Sequence, residues 1–218
     1  MIAEPDFAAL RRHMVNRQIA ARGIDNPCLL DAFRAVPREQ FVAPEYRASA
    51  YQDGPLPIGL GQTISQPYIV ALMIAAAEVG PDDRVLEVGA GSGYAAAILG
   101  HVAREVVSIE RHAALADEAR RRIAALGLDR VAIVEGDGSN GWPARAPYDV
   151  ILVAAAARNV PRALRDQLRC PGGRLVIPVG GEGRNQQLVK IVRTAKDVFT
   201  TIDLCGVRFV PLIGDGGC

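Results

Sequence analysis

No two of the four cysteines stand at C-x-x-C spacing: Cys28, Cys170, Cys205 and Cys218 are scattered along 218 residues. That scatter argues against a cysteine-built zinc site or a dithiol motif and predicts reduced thiols. Charge of one sign is equally scarce. Twenty-five Lys and Arg against 24 Asp and Glu leave a formal charge of +1, which gives no electrostatic case for nucleic acid or an anionic membrane as partner. The longest apolar run, Ile69 to Ala77, is far too short to span a bilayer. The opening Met1 to Asp6 carries acids and no basic-then-apolar leader, so the expectation is a soluble, cytoplasmic protein. No repeat, heptad or low-complexity tract is present.

What remains is ordinary globular material, 50% hydrophobic and 22% charged, enough for one domain with a sizeable core. Its organising stretch is Val85-Leu-Glu-Val-Gly-Ala-Gly-Ser-Gly-Tyr94. Arg84 to Val88 reads as a short buried strand entered from the turn Gly80-Pro81-Asp82-Asp83. Gly89, Gly91 and Gly93 permit a sharp turn and close approach of a ligand to the backbone, and a helix resumes at Tyr94. A strand, a glycine turn and a helix start make a nucleotide site at the carboxyl end of a parallel strand. The spacing is G-x-G-x-G, which departs from the dinucleotide fingerprint G-x-G-x-x-G.

Upstream, helical spacing over Phe7 to Arg22 aligns Leu10, Met14, Val15 and Ile19, and Gly23 ends it. A second helix starts at Asn26-Pro27, with Asp25 or Asn26 as cap, and stops at Pro37. Pro27-Cys28 resembles a cytosine-methyltransferase nucleophile, but it precedes the core, so Cys28 is expected to be a packed helical cysteine. Phe41 to Ile58 is expected to wrap the core irregularly. Ser65, ahead of the apolar helix Tyr68 to Glu78, reads either as an N-cap or, with Thr63, as a hydroxyl presented to a ligand.

Downstream, Glu105 to Ile109 is a strand ending in Glu110, 21 residues beyond Gly89. An acid there accepts from both ribose hydroxyls; the alternative is a solvated acid at a helix start. The helix Ala113 to Leu126 carries Arg120, Arg121 and Arg122, expected on a solvated face. Val131 to Val134 is a strand followed by Glu135-Gly-Asp-Gly138, where Asp137 either accepts from an exocyclic amine or is a turn acid. Trp142 packs under that loop or walls a flat base. Strands over Asp149 to Val153 and Arg174 to Val179 flank a helix at Val160 to Leu168. Gln187 to Val192 and Leu204 to Val210 are expected to pair antiparallel, and Gly214 to Cys218 to fray. The alternation predicts an α/β fold: a doubly wound, mostly parallel Rossmann-like sheet with an N-terminal helical cap.

At this point the chain resembles the protein-L-isoaspartate O-methyltransferase family, class I methyltransferases that use S-adenosylmethionine. The resemblance rests on Leu56-Pro-Ile-Gly59, Gly61-Gln-Thr-Ile-Ser-Gln-Pro67, Val85 to Tyr94, Val107-Ser-Ile-Glu-Arg111, Gly136-Asp-Gly138, Gly172 to Gly180 and Arg208-Phe-Val-Pro-Leu212. The Gln-Thr-Ile-Ser and Arg-Phe-Val-Pro-Leu segments are the more family-specific. It implies methyl transfer to the free α-carboxylate of isoaspartyl residues in damaged proteins and peptides, with no metal, no nucleic acid and no membrane, by a monomer. It implies Ser65 as the active-site serine with Thr63 and Ile64 beside it. Glu87, Gly89, Gly91, Ser92 and Gly93 would line the methionine and ribose side of the donor. Glu110 with Arg111 would hold the ribose, and Asp137 with Gly138 would meet the adenine. Phe209, Val210, Pro211 and Leu212 would lie along an extended peptide.

The implied layout is one domain: residues 1–80 as cap, 81–200 as donor-binding core, and 201–218 as a substrate-side strand and tail. The acceptor is already an anion, so no general base is needed, and His13, His101 and His112 all fall in helices or at helix starts. Departures from the family pattern are the run Val153-Ala-Ala-Ala-Ala157, Ser139-Asn140 after Asp-Gly, and the glycine-rich Gly180 to Asn185 loop. Methyl transfer to another acceptor (RNA included), a non-catalytic adaptor and an NAD dehydrogenase are the competing readings. A small acid or a dedicated peptide stays open as the other acceptor; RNA is disfavoured by the missing Asn/Asp-Pro-Pro-aromatic motif, the adaptor by the intact Ser65 and glycine turn, and the dehydrogenase by the glycine spacing.

Overall fold

A computed structural model describes residues 5–181 and 185–217; part of the Gly180 to Asn185 loop, and Cys218, lie outside the described residues. Five strands form the parallel body of a seven-stranded sheet: β3 (Arg84–Val88), β4 (Glu105–Glu110), β5 (Val131–Glu135), β6 (Val150–Val153) and β7 (Arg174–Val179). Two long strands, β8 (Gln186–Ala195) and β9 (Val198–Val207), extend it antiparallel, giving the order β5-β4-β3-β6-β7-β8-β9. The runs at β3, β6 and β7 are almost wholly buried, as a sheet covered on both faces requires. β3 pairs in parallel with β4 on one side and β6 on the other. The chain therefore reverses its direction of travel across the sheet at the carboxyl ends of β3 and β6, where α/β sheets open a crevice.

The helices α4 (Tyr94–Val102), α5 (Ala113–Ala125) and α6 (Arg162–Asp166) connect the strands, and α3 (Pro67–Ala76) leads into them. At the N-terminus α1 (Phe7–Met14) continues through a π-helical turn, Val15–Ile19, and a 3-10 turn, Ala20–Arg22. This extra loop of chain keeps Met14, Val15 and Ile19 all fully buried. The next helix, α2 (Pro27–Ala35), is capped by the Asn26 side chain and buries Leu29, Leu30 and Phe33. Cys28 is exposed on its outer face, which corrects the packed cysteine expected from sequence: the apolar stripe of α2 passes one position further on. Between α2 and α3 the chain makes short 3-10 turns and one hairpin, β1 (Leu56–Gly59) with β2 (Gln62–Ile64).

The tail is another correction. Gly214 to Gly216 is held, because the Asp215 amide donates to Asp137 at 2.8 Å and the Gly216 amide to the Ser139 hydroxyl at 2.9 Å. Among the described residues, no helix is long and apolar enough to cross a membrane.

Candidate active site

The glycine turn leaves β3 directly over the neighbouring strand ends. Gly89 and Ala90 both donate their amides to the Ile109 carbonyl, at 2.8 and 2.9 Å. Gly91 has φ +53°, and a Cβ on it would meet the Ile58 side chain of the β1–β2 hairpin at 3.1 Å. The hairpin thus sits on the turn, and only a glycine lets it come so near. Gly93 serves packing: a Cβ there would lie 3.1 Å from that of Ala119 on α5.

Two acids close this end. Glu110 is 5% exposed, so it is not the solvated acid of the alternative reading. Its two carboxylate oxygens accept from the amides of Gly91, at 2.8 Å, and His112, at 2.9 Å. Each oxygen has a second lone-pair direction left, so the group is fixed in place and still able to accept from a pair of hydroxyls. Glu87 is buried at the end of β3, and the Ser108 hydroxyl donates to it. Burial pushes its carboxyl up to about 8, against the Ser108 hydrogen bond and with help from the nearby Glu110 charge.

A cavity opens between these groups, lined on one side by Glu87, Gly89, Gly91, Ser92, Glu110 and Arg111. Gly138, Pro211 and Leu212 line it too. A wider groove lies next to it, between Gln66 and Ile69 of the α3 approach and the Arg208 to Val210 segment. Four residues belong to both spaces: Thr63, Ser65, Ala154 and Val210. Small residues make this junction. The Ala154 amide donates to Val88, and the Ala156 amide to Val210, both at 2.8 Å, while Leu212 donates back to the Ala156 carbonyl at 2.7 Å. The alanine run therefore lets the C-terminal segment lie directly against the end of β6.

Ser65 is released for this position. Pro67 opens α3, which makes Gln66 the N-cap, since proline favours the first helical position. Ser65, one residue earlier, is not the cap, and among the described residues its hydroxyl makes no hydrogen bond. Ile64 is buried beside it.

The other sequence-derived candidates are dispersed. Phe209 lines the groove only, and Gly93 and Asp137 line neither space. Asp137 accepts from the Ser139 amide and hydroxyl, the Asn140 side chain and the Asp215 amide. Burial opposes them, yet these hydrogen bonds hold its carboxyl below the usual range. Trp142 packs against the buried cluster that includes Leu86, Val107, Ile109 and Tyr148, and lines neither space. Arg122 departs from the solvated face expected of it: it donates to the Ser92 carbonyl at 3.2 Å and pairs with Glu118. His112 lines the cavity with a buried, unpartnered Nε2. From its place two residues after Glu110 the sequence offers His112 a position skirting the donor but favours a surface role; the structure puts it on the cavity wall.

Known proteins are similar to this chain over nearly its whole length. The family model described as protein-L-isoaspartate(D-aspartate) O-methyltransferase matches residues 9–216. A protein-L-isoaspartate O-methyltransferase of Rhodopseudomonas palustris is 56% identical over 211 residues, covering 97% of this chain and 86% of the relative. One from Methylorubrum extorquens is 57% identical over 209 residues, covering 96% and 90%. A solved structure of a protein-L-isoaspartate O-methyltransferase superposes with a TM-score of 0.86 at 30% identity, covering 94% of this chain and 67% of that one. A putative enzyme of the same kind from Plasmodium falciparum, in complex with S-adenosyl-L-homocysteine, gives 0.79 at 26% identity, covering 93% and 98%. With its motifs, its sheet order and its relatives in agreement from end to end, the chain belongs to the protein-L-isoaspartate(D-aspartate) O-methyltransferase family.

Proposed function

We propose that this chain transfers a methyl group from S-adenosylmethionine to the free α-carboxylate of isoaspartyl residues in proteins and peptides, with Ser65 orienting that carboxylate. The carrying observation is the Ser65 hydroxyl, unbonded among the described residues, at the junction of the cavity and the groove. The residues of the cavity fit the donor. Glu110 has two acceptor directions left for a ribose diol, and the missing Cβ of Gly91 lets the Ile58 side chain of the hairpin close down on the turn. Arg111, Gly138 and Leu212 would flank the base. Asp137 could reach it only by giving up one of its present partners.

When bound, the donor supplies an activated methyl on a sulfonium, a good leaving group. The protein's part is alignment and exclusion of water. An α-carboxylate has a pKa of about 3.3–3.7 in water, so no side chain has to remove a proton. A neutral hydroxyl suits this acceptor, because a cationic clamp would draw charge from the attacking oxygen. Thr63 and Val210 border the same junction, and Phe209 and Val210 would lie along the peptide.

The test uses labelled S-adenosylmethionine with matched peptides containing Asp or isoAsp. Base-labile label on the isoaspartyl peptide alone is expected. Label on neither peptide, with the donor still bound, would overturn the acceptor assignment.

A further inference from the structure

Among the described residues Arg38 is the largest fully buried side chain, at 0% exposure. Its Nε donates to the Ala50 carbonyl at 2.7 Å, and its Nη2 to the Ser65 carbonyl at 2.8 Å. The guanidinium carbon lies 4.9 Å from the centre of the Tyr94 ring. Tyr94 begins α4 where the chain leaves the glycine turn, and it is wedged edge-on against Phe33 and Phe41. No carboxylate pairs with Arg38 among the described residues. The neighbouring Glu39 is taken by Arg11 and by the Tyr51 hydroxyl. Nη1 of Arg38 and the Tyr94 hydroxyl are both buried, near one another but short of a well-formed hydrogen bond.

This is an expensive way to tie down a loop. A buried guanidinium with no counter-ion and one unpaired N–H is costly, and a neutral amide could donate to two carbonyls at lower cost. What the guanidinium alone provides is a rigid planar fork with donors at fixed angles and a face that stacks on an aromatic ring. One arm of the fork ends on the peptide that carries Ser65. The flat face rests on the ring at the root of the donor turn. Arg38 therefore spans the two halves of the site without touching either cavity.

We propose that Arg38 is a positioning residue for methyl transfer: by holding the Ser65 carbonyl in register with the Tyr94 ring, it fixes the direction of the Ser65 hydroxyl relative to the glycine turn. The inference rests on the reading of Ser65 as the group that orients the acceptor. It separates Arg38 from the rest of the N-terminal segment, whose buried side chains are otherwise mainly apolar packing. Lysine at this position keeps the charge but gathers its three donors on a single atom with no planar fork, so it is expected to hold the fold and lose the alignment.

The experiment is a double-mutant cycle on the full chain. Arg38→Lys, Ser65→Ala and the double variant are compared for isoaspartyl-peptide kinetics, and for S-adenosylhomocysteine affinity by calorimetry. Arg38→Lys is expected to lower kcat about tenfold, with KM and product-analogue affinity within about twofold of the parent. In the Ser65→Ala background the same change is expected to lower kcat by less than about twofold, because the hydroxyl it positions is gone. An undiminished tenfold loss in that background, or unchanged kcat for Arg38→Lys alone, would overturn the proposal while leaving the Ser65 reading intact. A silent Ser65→Ala would sink that reading first and this one with it. Arg38→Gln serves as a second variant. If neither it nor Arg38→Lys binds the product analogue, Arg38 is a structural core residue and the proposal is wrong.

Discussion

The donor turn and the acceptor loop are anchored by the same device at different depths. Each has a backbone carbonyl held by an arginine from a distant helical segment: Ser92 by Arg122 of α5 and Ser65 by Arg38. Arg122 keeps 24% of its side chain exposed and shares its charge with Glu118, whereas Arg38 is wholly enclosed and pairs with no acid among the described residues. The donor turn can afford the looser tie. Its course is already set by β3, by the paired amides on Ile109 and by the Glu110 carboxylate. The acceptor loop leaves a short two-stranded hairpin for a helix, with few backbone hydrogen bonds of its own. Where regular structure supplies little, one buried side chain has to supply the rest.

Four measurements would sharpen or break that contrast. Glu110→Ala should be the most damaging on the donor side. It removes the group proposed to face the ribose diol and leaves the amides of Gly91 and His112 without their acceptor. Hydrogen bonds to a charged group are worth roughly 1.5–3 kcal/mol each, so donor Kd by calorimetry should rise about 100-fold. An unchanged Kd would remove Glu110 from the donor site. Next, Ser65→Ala should lower kcat/KM for an isoaspartyl peptide about tenfold while donor Kd stays within about twofold. A matched loss in both would mean that the two loops are not separable.

Glu87 offers a subtler probe. Its carboxyl is pushed up to about 8 by burial, above the unfolded value near 4.3. Between those values the folded chain holds a proton that the unfolded chain does not. Its contribution therefore favours the fold below the window and declines as pH rises toward 8. A cationic donor in the adjoining cavity would favour the charged carboxylate. Near pH 7, donor binding should then release up to one proton, read as a binding enthalpy that varies with the ionisation enthalpy of the buffer. Glu87→Gln should flatten that variation; persistence of the full slope would place the proton elsewhere. Arg122→Ala should have the smallest effect, about a threefold rise in donor Kd. A rise as large as that of Glu110→Ala would show that the donor turn depends on its arginine as heavily as the acceptor loop does.

The sequence disclosed the parts that rest on local pattern. β3 and β7 fall on the residues expected, because continuous apolar runs bracketed by turns leave little choice of boundary. Glu110 was legible because strand length and turn length together fix where an acid emerges beside the glycine turn. The π-helical turn after α1 was hidden, since one inserted residue preserves a helical stripe to the eye. Ser65 could have been moved off the cap by giving more weight to Pro67 at the first helical position. Arg38 and Arg122 could not be read in this way. A charge in a helical segment looks solvated unless the fold brings a distant carbonyl to it, and each of these carbonyls lies about 30 residues away in the chain. The docking of the tail on Asp137 spans a still longer separation.

The junction beneath Ser65 also sets an aperture. Ala154 contributes only a methyl to the boundary between the two spaces, so their width of communication is governed by the smallest side chain able to form a strand end there. A branched residue at that place would narrow the doorway without removing a single polar group from either room. An acceptor reaching Ser65 would then be limited in bulk at residue 154 by shape alone.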